Sequence, residues 1–118
     1  HYRLDKTFCE PRPAKKPPLM IGGSGEKVLL RLVAQHADIW NNLAVTQAEL
    51  GAKVAKLREH CAAVGRDAGE ITVSQQCLVV IGADAADAAD KLAKADKIYG
   101  GHMGAGGEHG IAGTPEQV

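Results

Sequence analysis

The alternation of apolar and polar positions divides this chain into short strands and helices. Pro18-Leu19-Met20-Ile21 is an apolar run cut off by Gly22-Gly23-Ser24-Gly25, the pattern of a buried strand entering a tight turn. From Glu26 to His36 the period becomes helical, with Leu29, Leu32, Val33 and His36 on one side and Ser24 as the expected N-cap. Ala37-Asp38-Ile39-Trp40-Asn41 is too short for its period to separate a strand from the end of that helix. Thr46-Gln47-Ala48-Glu49 is a capping box, and the Leu50, Val54, Leu57, Cys61 and Val64 stripe behind it predicts the clearest helix, closed by Gly65. Ile71 to Ile81 then reads as one strand, with Ile71, Val73, Cys77, Val79 and Ile81 on one face and Thr72, Ser74, Gln76, Leu78 and Val80 on the other. Asp84 is placed to cap an alanine-rich helix through about Tyr99, with Ala88, Leu92, Ala95 and Tyr99 as its stripe.

Two stretches read as connections. Prolines at 11, 13, 17 and 18 make residues 1–17 an arm without helix. Residues 100–113 contain seven glycines and are expected to form a flexible loop. Beyond it, Thr114-Pro115-Glu116-Gln117-Val118 reads as the opening turn of another helix.

Strands alternating with helices predict an α/β architecture with a parallel sheet. Two or three strands leave such a sheet with open edges. That shortage, a helix start at the last residues and a first residue other than methionine predict a piece of a longer protein. The isolated chain is then expected to be inactive and only marginally stable.

Composition narrows the setting. The 118 residues are 45% apolar and 24% charged, as in an ordinary globular domain. Fourteen basic and fourteen acidic residues cancel, so no general attraction to nucleic acid or an anionic membrane is implied, and any anion site must be local. No apolar run approaches the ~20 residues needed to span a bilayer, and no signal peptide is evident, which makes a cytoplasmic protein the default expectation. Cys9, Cys61 and Cys77 are odd in number, share no metal-ligand spacing and read as buried thiols. His36, His60, His102 and His109 likewise form no ligand set, and Glu108-His109 reads as solvent-facing, so no metal site is predicted. Gln75 and Gln76 are polar strand residues able to reach a ligand or to complete core hydrogen bonds.

Local chemistry concentrates at Gly22-Gly23-Ser24-Gly25-Glu26-Lys27. A strand end there meets a helix N-terminus, where unpaired N–H groups and the helix dipole favour an anion and glycines admit close approach. A phosphate-binding loop and a plain glycine turn both fit. The P-loop pattern fails because Lys27 follows Glu26 and precedes Val28, and the dinucleotide fingerprint matches only in part, at Gly23 and Gly25, with Val28 where it requires glycine or alanine.

Those residues carry a resemblance. Pro17 to Lys27, with Leu30-Arg31-Leu32-Val33-Ala34, Ala37 to Asn41, Ala63-Val64-Gly65-Arg66-Asp67, Glu70-Ile71 and Gly113 to Val118, resemble in order the later half of luciferase-like monooxygenases. The branch most resembled uses the deazaflavin coenzyme factor 420. The resemblance implies the later strands and helices of a (β/α)8 TIM barrel, an oxidoreductase using factor 420 or, alternatively, FMN, and a small organic substrate. It also leaves a homodimer open for the complete protein. By the same resemblance Gly22, Gly23, Ser24 and Gly25, joined by Ile39, Trp40 and Asn41, meet the cofactor's phosphate end. Many members have glycine where this chain has Ile39. No catalytic residue can be named, because family members carry theirs largely on early strands that this sequence lacks. The rival reading is a noncatalytic phosphate- or nucleotide-binding α/β module; a truncated, nonfunctional product is a third.

Overall fold

The computed structural model describes residues 2–8, 10–43, 45–99 and 110–118. Cys9, His102, Glu108, His109 and the first ten residues of the glycine-rich stretch lie outside them. In the described part of the arm no helix or strand forms. The order that follows is β1 (Met20–Gly22), α1 (Leu29–His36), β2 (Ile39–Leu43), α2 (Gln47–Ala63), a 3-10 turn (Ala68–Glu70), β3 (Thr72–Gln76), β4 (Val79–Ile81), α3 (Ala85–Tyr99) and β5 (Ile111–Gly113).

All strand pairs are parallel. β1, β2 and β3 form one sheet in that order, with Ile21 opposite Trp40 and Trp40 opposite Val73; β4 and β5 form a second, with Val80 opposite Ala112. From Ile39 the short 37–41 segment is therefore a strand, continued by Asn42 and Leu43, with Ala37 closing α1. Its helical crossovers explain the parallel pairing, because each helix returns the chain to the same end of the sheet.

The core lies between the first sheet and α1 with α2. Leu30, Val33, Ala34, Ala37, Trp40, Leu57, Cys61 and Ile71 are buried there, with Ile21, Leu29, Leu50 and Val54 packed around them. On α1 the buried stripe is Leu30, Val33 and Ala34, continued by Ala37 just past the helix end, whereas Leu32 and His36 from the expected stripe are exposed. The helix begins at Leu29 rather than Glu26, and Val28 is its N-cap without any side-chain cap bond, so Ser24 does not cap it. The glycine loop extends further than local pattern indicates because its carbonyls are engaged elsewhere, as described below. α2 starts as expected: Thr46 Oγ1 accepts the Glu49 N–H at 3.3 Å, and Glu49 returns the bond by accepting the Thr46 N–H at 2.9 Å.

Asp38 fastens the entry of β2 to β1. Its carboxylate accepts the Leu19 N–H at 2.7 Å, while the Leu19 carbonyl accepts from Asp38 and Ile39. That backbone bond, helped by the charges of Lys16 and Arg66, holds the Asp38 carboxyl below its ordinary range.

The expected strand from Ile71 to Ile81 is broken at Cys77-Leu78 into β3 and β4. Ile71, at the entrance to β3, is buried in the α1/α2 core, whereas Val80 is the buried residue of β4. An odd position on one side of the break and an even one on the other mean that the alternation slips there, as at a bulge. The first segment pairs backwards with β2, the second forwards with β5. Ile111–Gly113, expected within the loop, is thus a strand, because pairing with β4 outweighs glycine's weak intrinsic preference. At the C-terminal end the Gln117 side chain accepts the Thr114 N–H at 3.0 Å, but Thr114 Oγ1 turns to Glu116 at 2.7 Å, so only half the expected capping box forms.

α3 lies against β4 through Gly82. A Cβ at that position would stand 2.6 Å from Ala88 Cα and 2.7 Å from Ala88 Cβ, which are parts of the helix rather than a movable side-chain tip. Gly82→Ala is therefore expected to destabilise the fold by about 1–3 kcal/mol through overpacking. Urea unfolding of the variant and wild type checks this; equal midpoints would show that helix and strand part freely.

Candidate functional site at the carboxyl ends of the strands

Parallel pairing puts Gly22, Asn41 to Leu43 and Ser74 to Gln76 along one rim. On one face of the sheet Asn41 lies between Gly22 and Ser74, and Ser74 Oγ donates to Asn41 Oδ1 at 2.9 Å. On the other face Ile21, Trp40 and Val73 form a row, followed by Asn42 beside Gln75. This is where the glycine loop leaves β1.

Gly23 makes the turn, with φ of +129°, a conformation that side-chain-bearing residues rarely adopt. Its N–H donates to the Asn41 carbonyl at 3.0 Å. The four carbonyls from Gly23 to Glu26 each face a protein partner. Trp40 Nε1 donates to the Gly23 carbonyl at 2.9 Å, Lys53 Nζ to the Ser24 carbonyl at 3.1 Å, and the Leu30 N–H to the Gly25 carbonyl at 3.1 Å. His60 Nε2 lies 2.9 Å from the Glu26 carbonyl.

A planar trans peptide points its N–H opposite to its C=O. Tying those carbonyls to the body of the protein therefore turns the N–H groups of Ser24, Gly25, Glu26 and Lys27 away from their anchors. Among the described residues none of these N–H groups donates to a protein atom. Successive unpaired N–H groups ahead of a helix are the donor set a phosphate requires. The residues fit such a group, with Ser24 and Gly25 supplying the glycine-rich part of the donors and Gly23 the turn.

Of the other sequence-predicted site residues, Trp40 is fully buried, so its indole meets the loop from within the core. Its contribution is to hold Gly23. Ile39 and Asn41 point to the opposite sheet face, and Asn41 also holds Gly23 through its carbonyl. Gly22 has open space around its Cα, the nearest atom to an added Cβ being the Asn41 carbonyl oxygen at 3.9 Å. Gln75 Nε2 donates to the Val45 carbonyl at 3.3 Å.

Sequence reading assigns no part at this site to Lys53, His60, Ser74 or Asn42. Lys53 and His60 reach the loop from α2 across 29 and 34 residues, and no local pattern marks such a contact. Asn42 is fully buried with neither amide atom partnered, an arrangement invisible in a strand read by hydropathy alone.

Beside the loop, Glu26, Lys27, Lys56, Glu59 and His60 line a depression of about 400 Å³. Lys56 and Glu59 form a 2.6 Å ion pair there; the hydrogen bond and charge of Lys56 hold the Glu59 carboxyl below its ordinary range. A larger cavity of about 560 Å³ lies between α2 and the entrance to β3, lined by Val54, Leu57, Ile71 and Val73 among others. It is at the opposite end of β3 from the rim. Among the described residues no group of three or more metal-ligating side chains gathers, and no helix is long and apolar enough to cross a membrane.

A family model described as "Luciferase-like monooxygenase" matches residues 1–118. No curated protein matches the sequence significantly. Among solved structures, DmoA from Hyphomicrobium sulfonivorans aligns with 21% identity and a TM-score of 0.61 over 74% of this chain and 18% of its own. The coenzyme F420 dependent tetrahydromethanopterin reductase from Methanopyrus kandleri aligns with 20% identity and a TM-score of 0.60, over 86% of this chain and 39% of its own. The chain thus spans well under two thirds of either. Their likeness identifies the α/β fold seen here as part of a (β/α)8 barrel.

Proposed function

The chain belongs to the luciferase-like monooxygenase family, and from that premise we propose that it supplies the cofactor-phosphate loop of a flavin- or deazaflavin-dependent oxidoreductase. The observation that carries the reading is the run of unpaired N–H groups from Ser24 to Lys27, behind which the loop's carbonyls are tied to the protein. Factor 420 is the preferred cofactor and FMN the alternative. When bound, the cofactor supplies the redox chemistry, either hydride exchange with a small organic substrate or, with reduced FMN, monooxygenation.

This chain's part is binding and orientation. The N–H groups of Ser24, Gly25, Glu26 and Lys27 receive phosphate oxygens; Gly23, held by Asn41 and Trp40, sets where those donors stand. The helix dipole of α1 adds partial positive charge behind them. Asn41 and Ser74, bonded to each other on the other sheet face, present polar groups along the same rim. The substrate pocket and the groups that act on substrate belong to the rest of the protein.

Titrating the full-length protein with FMN and riboflavin, and with factor 420 and its phosphate-free deazariboflavin core, tests the reading. The preferred cofactor is expected to bind at least about tenfold tighter than its phosphate-free counterpart, the worth of one charge-assisted hydrogen bond or more. Equal affinities within both pairs would leave Gly22 to Gly25 as a structural turn.

A further inference from the structure

Lys53 lies on α2, 29 residues beyond the loop residue it touches. Its side chain is only 15% exposed, with Nζ 3.1 Å from the Ser24 carbonyl and 3.3 Å from the Glu26 carboxylate. Lysine side chains usually leave the ammonium head in water, because removing it from water is costly unless acceptors replace the lost hydration. Here one acceptor is the loop's backbone and the other its acidic side chain. We propose that Lys53 is a positioning residue for the phosphate-holding loop, an inference that rests on the function assigned to that loop above.

The geometry gives Lys53 two tasks. Drawing the Ser24 carbonyl towards α2 turns the Gly25 N–H the other way, through the planarity of their shared peptide. Pairing with Glu26 holds that carboxylate on the α2 side, so that its negative charge is kept from an anion resting on the free N–H groups. Trp40 performs the first task for the preceding peptide, but from inside the core and without charge.

One more buried polar group lies on the anchoring side of the loop, opposite its free N–H groups. Gly22 stands opposite Asn41, so the next residues on the two strand ends, Gly23 and Asn42, are neighbours. Asn42 shares its sheet face with Trp40, whose indole reaches Gly23, and its fully buried amide has no partner on either atom. Gln75, in register with Asn42, also has a buried unpartnered Oε1, so the unsatisfied polar groups lie together on the core side of the sheet.

The test compares Lys53→Met and Lys53→Arg in the full-length protein, using FMN against riboflavin and factor 420 against its phosphate-free deazariboflavin core. Lys53→Met is expected to lower the preference for the phosphate-bearing ligand about tenfold while changing phosphate-free affinity by less than about twofold. Arginine, which still offers donors to both oxygens, is expected to keep the preference within about threefold of wild type. Lys53→Gln replaces the methionine variant should circular dichroism show that it does not fold. A folded methionine or glutamine variant with the wild-type preference, an equal weakening of both ligands, or arginine behaving like methionine would each overturn the proposal. If wild type shows no phosphate preference, the function assigned to the loop fails first and Lys53's role goes with it; preference in wild type unaffected by Lys53→Met removes Lys53 alone.

Discussion

Trp40→Ala is expected to destabilise the full-length protein by about 3–5 kcal/mol, the usual cost of emptying a large aromatic site in a core. Trp40 is fully buried among Leu30, Val33, Ala34, Leu57 and Cys61, and alanine would leave that space unfilled. Marginal stabilities of about 5–15 kcal/mol make such a loss large enough to shift a urea midpoint plainly. Trp40→Phe separates packing from hydrogen bonding. Phenylalanine retains much of the apolar volume but cannot donate to the Gly23 carbonyl, so it should cost less stability while still weakening cofactor binding. A Trp40→Ala variant that melts with wild type would show that the sheet and α1 are held together without this side chain.

Gly23→Val is expected to weaken binding of the phosphate-bearing cofactor roughly tenfold to several hundredfold or more, corresponding to one or two charge-assisted hydrogen bonds at ~1.5–3 kcal/mol each. The cause lies in the backbone. An added Cβ would come within 2.6 Å of Leu29 Cδ1, yet that atom is the tip of a flexible side chain and can move. The φ of +129° cannot be kept by a β-branched residue without strain of about 1–3 kcal/mol. Relief of that strain displaces the Gly23 N–H from the Asn41 carbonyl and scatters the donors that follow. Lys27→Ala should do less, because the proposed donors are main-chain N–H groups. Titration of both variants in the full-length protein, with folding checked by circular dichroism, decides the matter: a folded Gly23→Val protein with undiminished affinity eliminates the cradle.

Where signals are local, the sequence announces the structure. The Thr46/Glu49 box and the spacing of Leu50, Val54, Leu57 and Cys61 lie within one helix, and α2 forms from Gln47 to Ala63 accordingly. Gly22 and Gly23 end β1 where the apolar run stops. The family resemblance likewise agrees with the match across residues 1–118. Errors arise where a distant partner decides. Ser24 looks like a cap, yet α1 starts only at Leu29 behind Val28, and Ile111 to Gly113 looks like loop until β4 pairs with it. The break at Cys77-Leu78 is equally hidden, since an apolar run cannot show which neighbour each half will join. The resemblance puts Trp40 and Asn41 near the cofactor's phosphate end; in the structure both hold Gly23, Trp40 through its indole and Asn41 through its main chain.

Trp40 is the single tryptophan in these 118 residues, and its indole nitrogen is 2.9 Å from the carbonyl of the residue that turns the glycine loop. It is therefore an intrinsic optical reporter at the base of the loop. Its ultraviolet emission responds to the polarity and hydrogen bonding of the indole, and a flavin or deazaflavin chromophore nearby absorbs in the range where tryptophan emits. Quenching would register the arrival of the chromophore, while a shift in emission wavelength would register movement of the Gly23 carbonyl. The same ring that stiffens the loop makes its motion observable without an attached dye.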